Sequence, residues 1–270
     1  MAREGGRRAI FITGGGSGIG RAVAARFAAE GWFVGIADIN EAGMAGTCAM
    51  LPTGSCCKVR LDVRDRAGWD SALAAFAQAS GGRIDVVFNN AGVPLGGPLA
   101  DLAVDEIERA LDINLKGVLF GAQAAYPWLK ASAPGSCLLN TASAAGIYGS
   151  PRMSVYCATK AGVRAVTESL DGEWAAEGIA VRDLMPGFID TPLLDMTPNR
   201  GSNVDIREHV TGAGLEITPP VHAAEAAWAA VHGQRLHTRV GATANRLAFF
   251  ARWLPGLLRA QFRRNGPTIG

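Results

Sequence analysis

The sequence predicts an α/β fold: one parallel sheet wound on both faces by helices. Three observations predict it. Short apolar runs alternate with longer, Ala-rich amphipathic stretches, a glycine-rich turn joins the first run to the first stretch, and no repeat or linker divides the 270 residues. The length exceeds the usual range of roughly 100–200 residues per domain, but open α/β sheets often run longer as one unit.

The strand-like runs fall at 9–13, 33–37, 56–61, 86–89, 137–140 and 180–184. Helical stretches lie between them at 18–30, 66–79, 103–131 and 154–177, each long enough to cross over a face of the sheet. Such crossovers are right-handed almost without exception, which makes the fold doubly wound. After Pro186 the rhythm breaks: residues 191–217 mix Pro, Gly, Asn and charged residues and read as an irregular, mobile excursion. A helix over about 219–231 and a short strand near 238–241 finish the sheet. The main domain is therefore placed at 1–241, and 242–270 is read as a basic, amphipathic extension of it.

Composition narrows the function. Apolar residues make up 49% and charged residues 19%, enough to bury a sizeable core, and a formal charge of +2 gives no general attraction to nucleic acid. The five cysteines, Cys48, Cys56, Cys57, Cys137 and Cys157, are odd in number and include no C-x-x-C pair, so reduced thiols in the cytoplasm are expected. The charged first residues run straight into a strand without an apolar leader, and no apolar run reaches the roughly 18 residues that span a bilayer. His209, His222, His232 and His237 match no zinc-ligand spacing, and no metal is expected.

Gly14, Gly15, Gly16, Ser17, Gly18, Ile19 and Gly20 follow the first strand and open the first helix. Backbone N–H groups and the helix dipole attract a pyrophosphate at such a place, and glycines let it approach the backbone. The spacing is G-x-x-x-G-x-G and not the ordinary G-x-G-x-x-G. Asp38 ends the second strand, 18 residues beyond Gly20, where a carboxylate accepts hydrogen bonds from an adenosine ribose and repels a 2′-phosphate. No Lys or Arg lies between Gly14 and Gly20, so the pattern favours NAD over NADP.

Tyr156 and Lys160 are i and i+4 on one helical face. A phenol titrates near ~10, and its use in proton transfer at neutral pH requires a decrease of about 3 units. An ammonium ~4 Å away at an effective dielectric of ~20 supplies about that much. Alone this pair is a weak signal, since packing and solubility also place Tyr and Lys at such spacing.

It is not alone. The order Thr13-Gly14, Gly18-Ile19-Gly20, Asp62-Val63, Asn89-Asn90-Ala91-Gly92, Asn114, Ser143, Tyr156, Lys160 and Pro186-Gly187 resembles the short-chain dehydrogenase/reductase family over about residues 8–195. The resemblance implies a single-domain Rossmann fold, a pyrophosphate loop at Gly14, Ser17, Gly18, Ile19 and Gly20, and adenine contacts from Asp62 and Val63. It also implies that Asn90, with Ala91 and Gly92, steadies the central strand beside the cofactor. Ser143, 13 residues before Tyr156, would bind the substrate oxygen; Tyr156 would move the proton, and Lys160 would lower its pKa and hold the nicotinamide ribose. Asn114 would bend its helix and anchor a water leading to Lys160. Pro186, Gly187 and Ile189 would contact the cofactor, and Thr191, in the same stretch, would bind its carboxamide.

The loops past the C-terminal strand ends should line the substrate cleft, with Val93, Pro94, Leu95, Ile147, Tyr148, Met153, Phe188, Leu193 and Leu194. This mostly apolar set suits a hydrophobic secondary alcohol or ketone. The leading expectation is thus an NAD(H)-dependent oxidoreductase. Its rivals are a 3-oxoacyl reductase of lipid synthesis, which Asp38 disfavours because the resemblance associates those enzymes with NADPH, and a dinucleotide-binding regulator, which would be expected to lose Ser143, Tyr156 or Lys160.

Two departures stand out. Asp183 occupies a position where the family more often has Asn, for which the sequence offers no reason. The tail carries Arg246, Arg252, Arg259, Arg263 and Arg264 beside Leu247, Phe250, Leu254, Leu257 and Leu258 at roughly helical spacing, bent or restarted at Pro255. It is expected to cover the cleft or pack in a homo-oligomer, a dimer or tetramer, in preference to lying on an anionic membrane.

Overall fold

The computed structural model describes residues 6–264; residues 1–5 and 265–270, the outer ends of the two segments predicted as 1–241 and 242–270, lie outside the described residues. Nine strands and ten α-helices follow in chain order within it: β1 Ala9–Thr13, α1 Gly18–Ala29, β2 Phe33–Asp38, α2 Glu41–Ala49, β3 Cys56–Arg60, α3 Arg66–Ala79 and β4 Val86–Asn89. Then come α4 Val104–Leu111, α5 Gly117–Ser132, β5 Ser136–Thr141, α6 Ser154–Trp174, β6 Ile179–Pro186 and β7 Phe188–Ile189. The chain finishes with α7 Ile206–Gly212, β8 Ile217–Thr218, α8 Pro220–His232, β9 His237–Val240, α9 Ala242–Trp253 and α10 Pro255–Arg264.

Seven strands form one sheet in the order β3-β2-β1-β4-β5-β6-β9, every pair parallel. Alternate residues of each strand feed opposite faces. In β1, Ala9 and Phe11 join a core with Trp69, Leu73, Phe76, Ala125 and Leu138. Ile10 and Ile12 join the other, with Val23, Phe27, Ile36, Phe88, Ala224 and Ala227. Burial on both faces is why these strands read as continuous apolar runs. The strand order reverses beside β1, and the crevice between the C-terminal ends of β1 and β4 is where such a sheet binds ligands.

Three features correct the sequence reading, and a fourth, the restart of the tail at Pro255, follows it. A helix, α2, follows β2 where none is predicted; Asn40 caps it by accepting a hydrogen bond from Gly43 N at 3.0 Å. The helix predicted over 103–131 is two α-helices joined by a π-helical turn, Asp112–Lys116. The excursion at 191–217 holds α7, and its end returns as β8 to pair with β7. Finally α10 restarts at Pro255, and together the last two helices fold back through buried Ala244 and Leu258 and a Tyr148–Phe262 ring contact with centroids 5.9 Å apart. No described helix is long and apolar enough to cross a membrane.

Candidate active site

The turn after β1 is built so that only glycine fits where it is tightest. Gly14 has φ +64°, and a Cβ added at Gly20 would lie 2.3 Å from the Gly14 carbonyl oxygen. The turn is also tied down from outside. Thr47 of α2 donates to Gly15 O at 2.9 Å, Arg21 donates to Gly16 O, and Asn90 Nδ2 donates to Thr13 O at 2.9 Å. Thr13 Oγ1 accepts from the N–H groups of Asn90 and Ala91, locking β1 to β4 at their C-terminal ends. Asp38 accepts from Gly16 N and Asn40 N, both at 3.0 Å, so its carboxylate stands against the turn.

At the head of α1 the N-cap Ser17 makes no side-chain capping bond, and no acidic residue occupies the first turn. This leaves the positive end of the helix dipole facing the turn. Glycine backbone, helix N-terminus and Asp38 together fit a dinucleotide. From the far side of the sequence Thr191 reaches the same place: its Cγ2 would lie 3.0 Å from a Cβ added at Gly18. Ile189 packs against Ile19, Ala223 and Val240. Gly187 N donates to Val240 O at 2.9 Å, setting the turn after Pro186.

Asp62 is gripped by Arg64, which donates from Nε at 3.0 Å, and this ion pair holds the Asp62 carboxyl below the usual carboxylate range. Val63 is nearly buried against Gly117, and its carbonyl accepts from Trp69 Nε1 at 3.0 Å.

Ser143 follows β5 as the cap of a single 3-10 turn, Ala144–Gly146; its Oγ accepts from Ala145 N at 3.1 Å and donates to Pro186 O at 3.4 Å. It also hydrogen-bonds the Tyr156 hydroxyl, which lowers the phenol pKa. Burial outweighs that and pushes Tyr156 up to about 12. Lys160 Nζ lies 5.8 Å from the centre of the Tyr156 ring and donates to Thr141 O at 2.8 Å, because the buried lysine finds its acceptor on the β5 backbone. Burial pulls its own pKa down to about 8.

Asn114 sits inside the π-helical turn, fully buried, so the helix does depart from regularity there. Its side chain, however, is committed to protein: Oδ1 accepts from Val93 N at 2.8 Å and Nδ2 donates to Val93 O at 2.9 Å. A Cβ added at Gly92 would lie 3.2 Å from Asn114 Oδ1 and 3.7 Å from Lys160 Nζ, so Gly92 leaves room where the two meet.

The predicted cleft lining divides. Val93, Ile147, Met153 and Phe188 are at least partly exposed. Leu95 is 5% exposed and packs with Leu102, Ile107, Ala110 and Val155, and Leu194 is 3% exposed. These two support the loops and are withdrawn from the lining. The excursion is tied to the segment after β4, and that segment to Arg152, through contacts that sequence reasoning missed: Gly96 N donates to Pro198 O at 2.9 Å, Asn199 Nδ2 to Gly96 O at 2.6 Å, and Gly97 N to Arg152 O at 2.7 Å. Arg152 accepts the strain of φ +62° at that junction. Arg21, Thr47 and Thr141 were likewise missed. Thr47 reaches a carbonyl 32 residues away, and Thr141 donates to Asn90 Oδ1 and accepts from Lys160 through its own carbonyl, partners that become adjacent only in the fold; the one visible signal was Arg21 following directly on the glycine turn.

A family model described as short chain dehydrogenase matches residues 8–200. The chain belongs to that family. A short-chain dehydrogenase from Sphingomonas sp. named 2-dehydro-3-deoxy-L-rhamnonate dehydrogenase (NAD(+)) is 38% identical over 199 residues, 73% of this chain and 78% of the relative. Another, 2,5-dichloro-2,5-cyclohexadiene-1,4-diol dehydrogenase from Sphingobium indicum, is 34% identical over 200 residues, 73% of this chain and 79% of the relative. Among solved structures, a short-chain dehydrogenase/reductase from Burkholderia phymatum in complex with NAD superposes with a TM-score of 0.79 at 25% identity, covering 97% of each chain. As a short-chain dehydrogenase the protein is an oxidoreductase, and the doubly wound fold read from its sequence is the fold it has.

Proposed function

We propose that the protein transfers a hydride between NAD(H) and a hydrophobic secondary alcohol or ketone, with Ser143, Tyr156 and Lys160 as its catalytic residues. The observation that carries this reading is the meeting of these three side chains at the C-terminal end of β5, beside a glycine turn flanked by Asp38. The NAD named for a relative and present in a structural neighbour supports the cofactor.

When bound, the nicotinamide supplies or accepts the hydride. The protein's share is the proton. In ketone reduction Ser143 and Tyr156 hydrogen-bond the carbonyl oxygen, and Tyr156 donates its proton as negative charge develops there. A phenol pushed up to about 12 by burial holds that proton ready at neutral pH. In oxidation the phenol must lose it, and Lys160, behind the ring, supplies positive charge and a donor for the ribose hydroxyls. Asn114 positions Val93 at the edge of the cleft. The working form is read as a cytoplasmic homo-oligomer of two or four copies.

The test is NADH formation from a panel of steroid, aromatic and aliphatic secondary alcohols, and NADH consumption by the matching ketones. At least one hydrophobic pair should turn over, and Tyr156→Phe should lower that turnover by ~10²–10⁴ while NAD still binds. Wild-type turnover by the variant would remove Tyr156 from the mechanism.

A further inference from the structure

Charge is divided unevenly along the chain. Residues 1–241 hold 21 of the 26 Lys and Arg and all 24 Asp and Glu, whereas 242–270 hold five arginines and no Asp or Glu. The structure gathers this basic end into one feature. α9 and α10 meet at Leu254 in a corner anchored on its inner side by Ala244, Leu258 and Phe262. Its outer side carries Phe249, Trp253, Leu254 and Leu257, which are 55%, 64%, 44% and 58% exposed. Arg246, Arg252, Arg259, Arg263 and Arg264 are exposed around them, and Arg252 lies over the Trp253 ring at 5.2 Å. None of the five has an ion-pair partner among the described residues.

Four large apolar side chains ringed by arginines, on a segment that itself holds no Asp or Glu, match the boundary between headgroups and acyl chains of an anionic bilayer. Other occupants fit less well. Most carboxylates of this chain already pair with its own Arg, Lys or His, and a twofold contact through the corner itself would set arginines against arginines. A nucleic acid would answer the charge and leave the Trp and Leu side chains in water.

We propose that the α9–α10 corner seats the protein on an anionic lipid surface, with Trp253, Leu254, Leu257 and Phe249 entering the headgroup boundary and the arginines pairing with lipid phosphates. A groove of about 660 Å³ opens along α10 between Arg259, Phe262 and Tyr148 and reaches Ala145, on the loop that carries Ser143. Seating here places the membrane beside that groove.

Flotation of the full-length protein with phosphatidylcholine vesicles, with and without phosphatidylglycerol, tests this. Binding should need phosphatidylglycerol and disappear at high salt. The pair Arg246→Gln and Arg252→Gln should weaken it about tenfold or more. Trp253→Ser with Leu257→Ser should abolish it, with melting temperature and elution volume unchanged. Failure of the intact protein to float on phosphatidylglycerol vesicles at low salt would overturn the proposal, as would undiminished flotation by both variants. A smaller species on sizing after Trp253→Ser with Leu257→Ser, without vesicle binding by the intact protein, would assign the corner to a second copy and also overturn it.

Discussion

His237 Nδ1 lies 2.9 Å from Oδ2 of the fully buried Asp183, pinning the edge strand β9 to β6. This pairing explains the acidic residue at a position where Asn is more usual. Nε2 of the same ring lies 3.1 Å from Glu168, and Arg164 is the other charge that acts on the pair. The His237 pKa is raised, chiefly by its hydrogen bond to Asp183; that of Asp183 is raised too, chiefly by burial, although His237 opposes this. Folding therefore takes up protons. The histidine's stabilisation is fully present below its ordinary pKa of about 6.5 and is lost as pH rises through the higher folded value. The melting temperature should fall as pH rises above about 6.5, and His237→Ala should remove that slope. The substitution should also cost about 3 kcal/mol, since it strands a buried carboxylate, and adding Asp183→Asn should restore part of the loss. Thermal melts across that range decide the matter; an unchanged slope in His237→Ala would refute it.

Why some elements were legible and others not follows from the same physics. Strands buried on both faces, such as Val86–Asn89, show as apolar runs with little ambiguity. α2 escapes because its nine residues include Gly43, Gly46 and Thr47, and tertiary contact with the glycine turn, not propensity, holds it. The spacing of Tyr156 and Lys160 shows that they share a helical face, but side-chain direction is a tertiary matter, and the lysine turns to Thr141. The partner of Asp183 was equally invisible, lying 54 residues away on a strand that becomes adjacent only in the folded sheet.

Tyr156 should stay protonated in the free protein well past the usual phenol range. Burial holds its pKa at about 12. Ultraviolet difference titration of the wild type minus Tyr156→Phe isolates this residue from Tyr126 and Tyr148. The difference should show no phenolate step below pH ~10. Saturating NAD should move the step down, because oxidised nicotinamide adds positive charge beside the ring. A step near neutral pH without cofactor would contradict the burial argument.

Asp38 should set the cofactor preference, with NAD(H) bound at least tenfold tighter than NADP(H), about 1.4 kcal/mol. Because its carboxylate also accepts from Gly16 N and Asn40 N, Asp38→Ala would loosen the turn and weaken both cofactors. Asp38→Asn removes the charge and keeps one of the two acceptors. Fluorescence titrations should show its NAD affinity lowered less than in Asp38→Ala and its NADP affinity raised relative to NAD. Equal affinities in the wild type would show that Asp38 does not discriminate.

Gly20 offers the sharpest test of the turn itself. A Cβ there would stand 2.3 Å from Gly14 O and 2.9 Å from Asn90 Nδ2, so Gly20→Ala must displace backbone that Asn90 fixes. Overpacking of this kind costs about 1–3 kcal/mol of stability. The displaced atoms are those proposed to cradle the pyrophosphate, so NAD affinity should fall by more than tenfold even where the variant remains folded. Gly172→Ala is the control: that glycine is exposed in α6 with nothing within 4 Å of an added carbon. There the change should leave NAD binding intact and raise stability by about 0.5–1 kcal/mol, through helix propensity alone. Calorimetric titration of NAD against both variants, with melts alongside, separates a turn that binds the cofactor from one that merely packs. A folded Gly20→Ala protein with wild-type NAD affinity would mean that the pyrophosphate lies elsewhere.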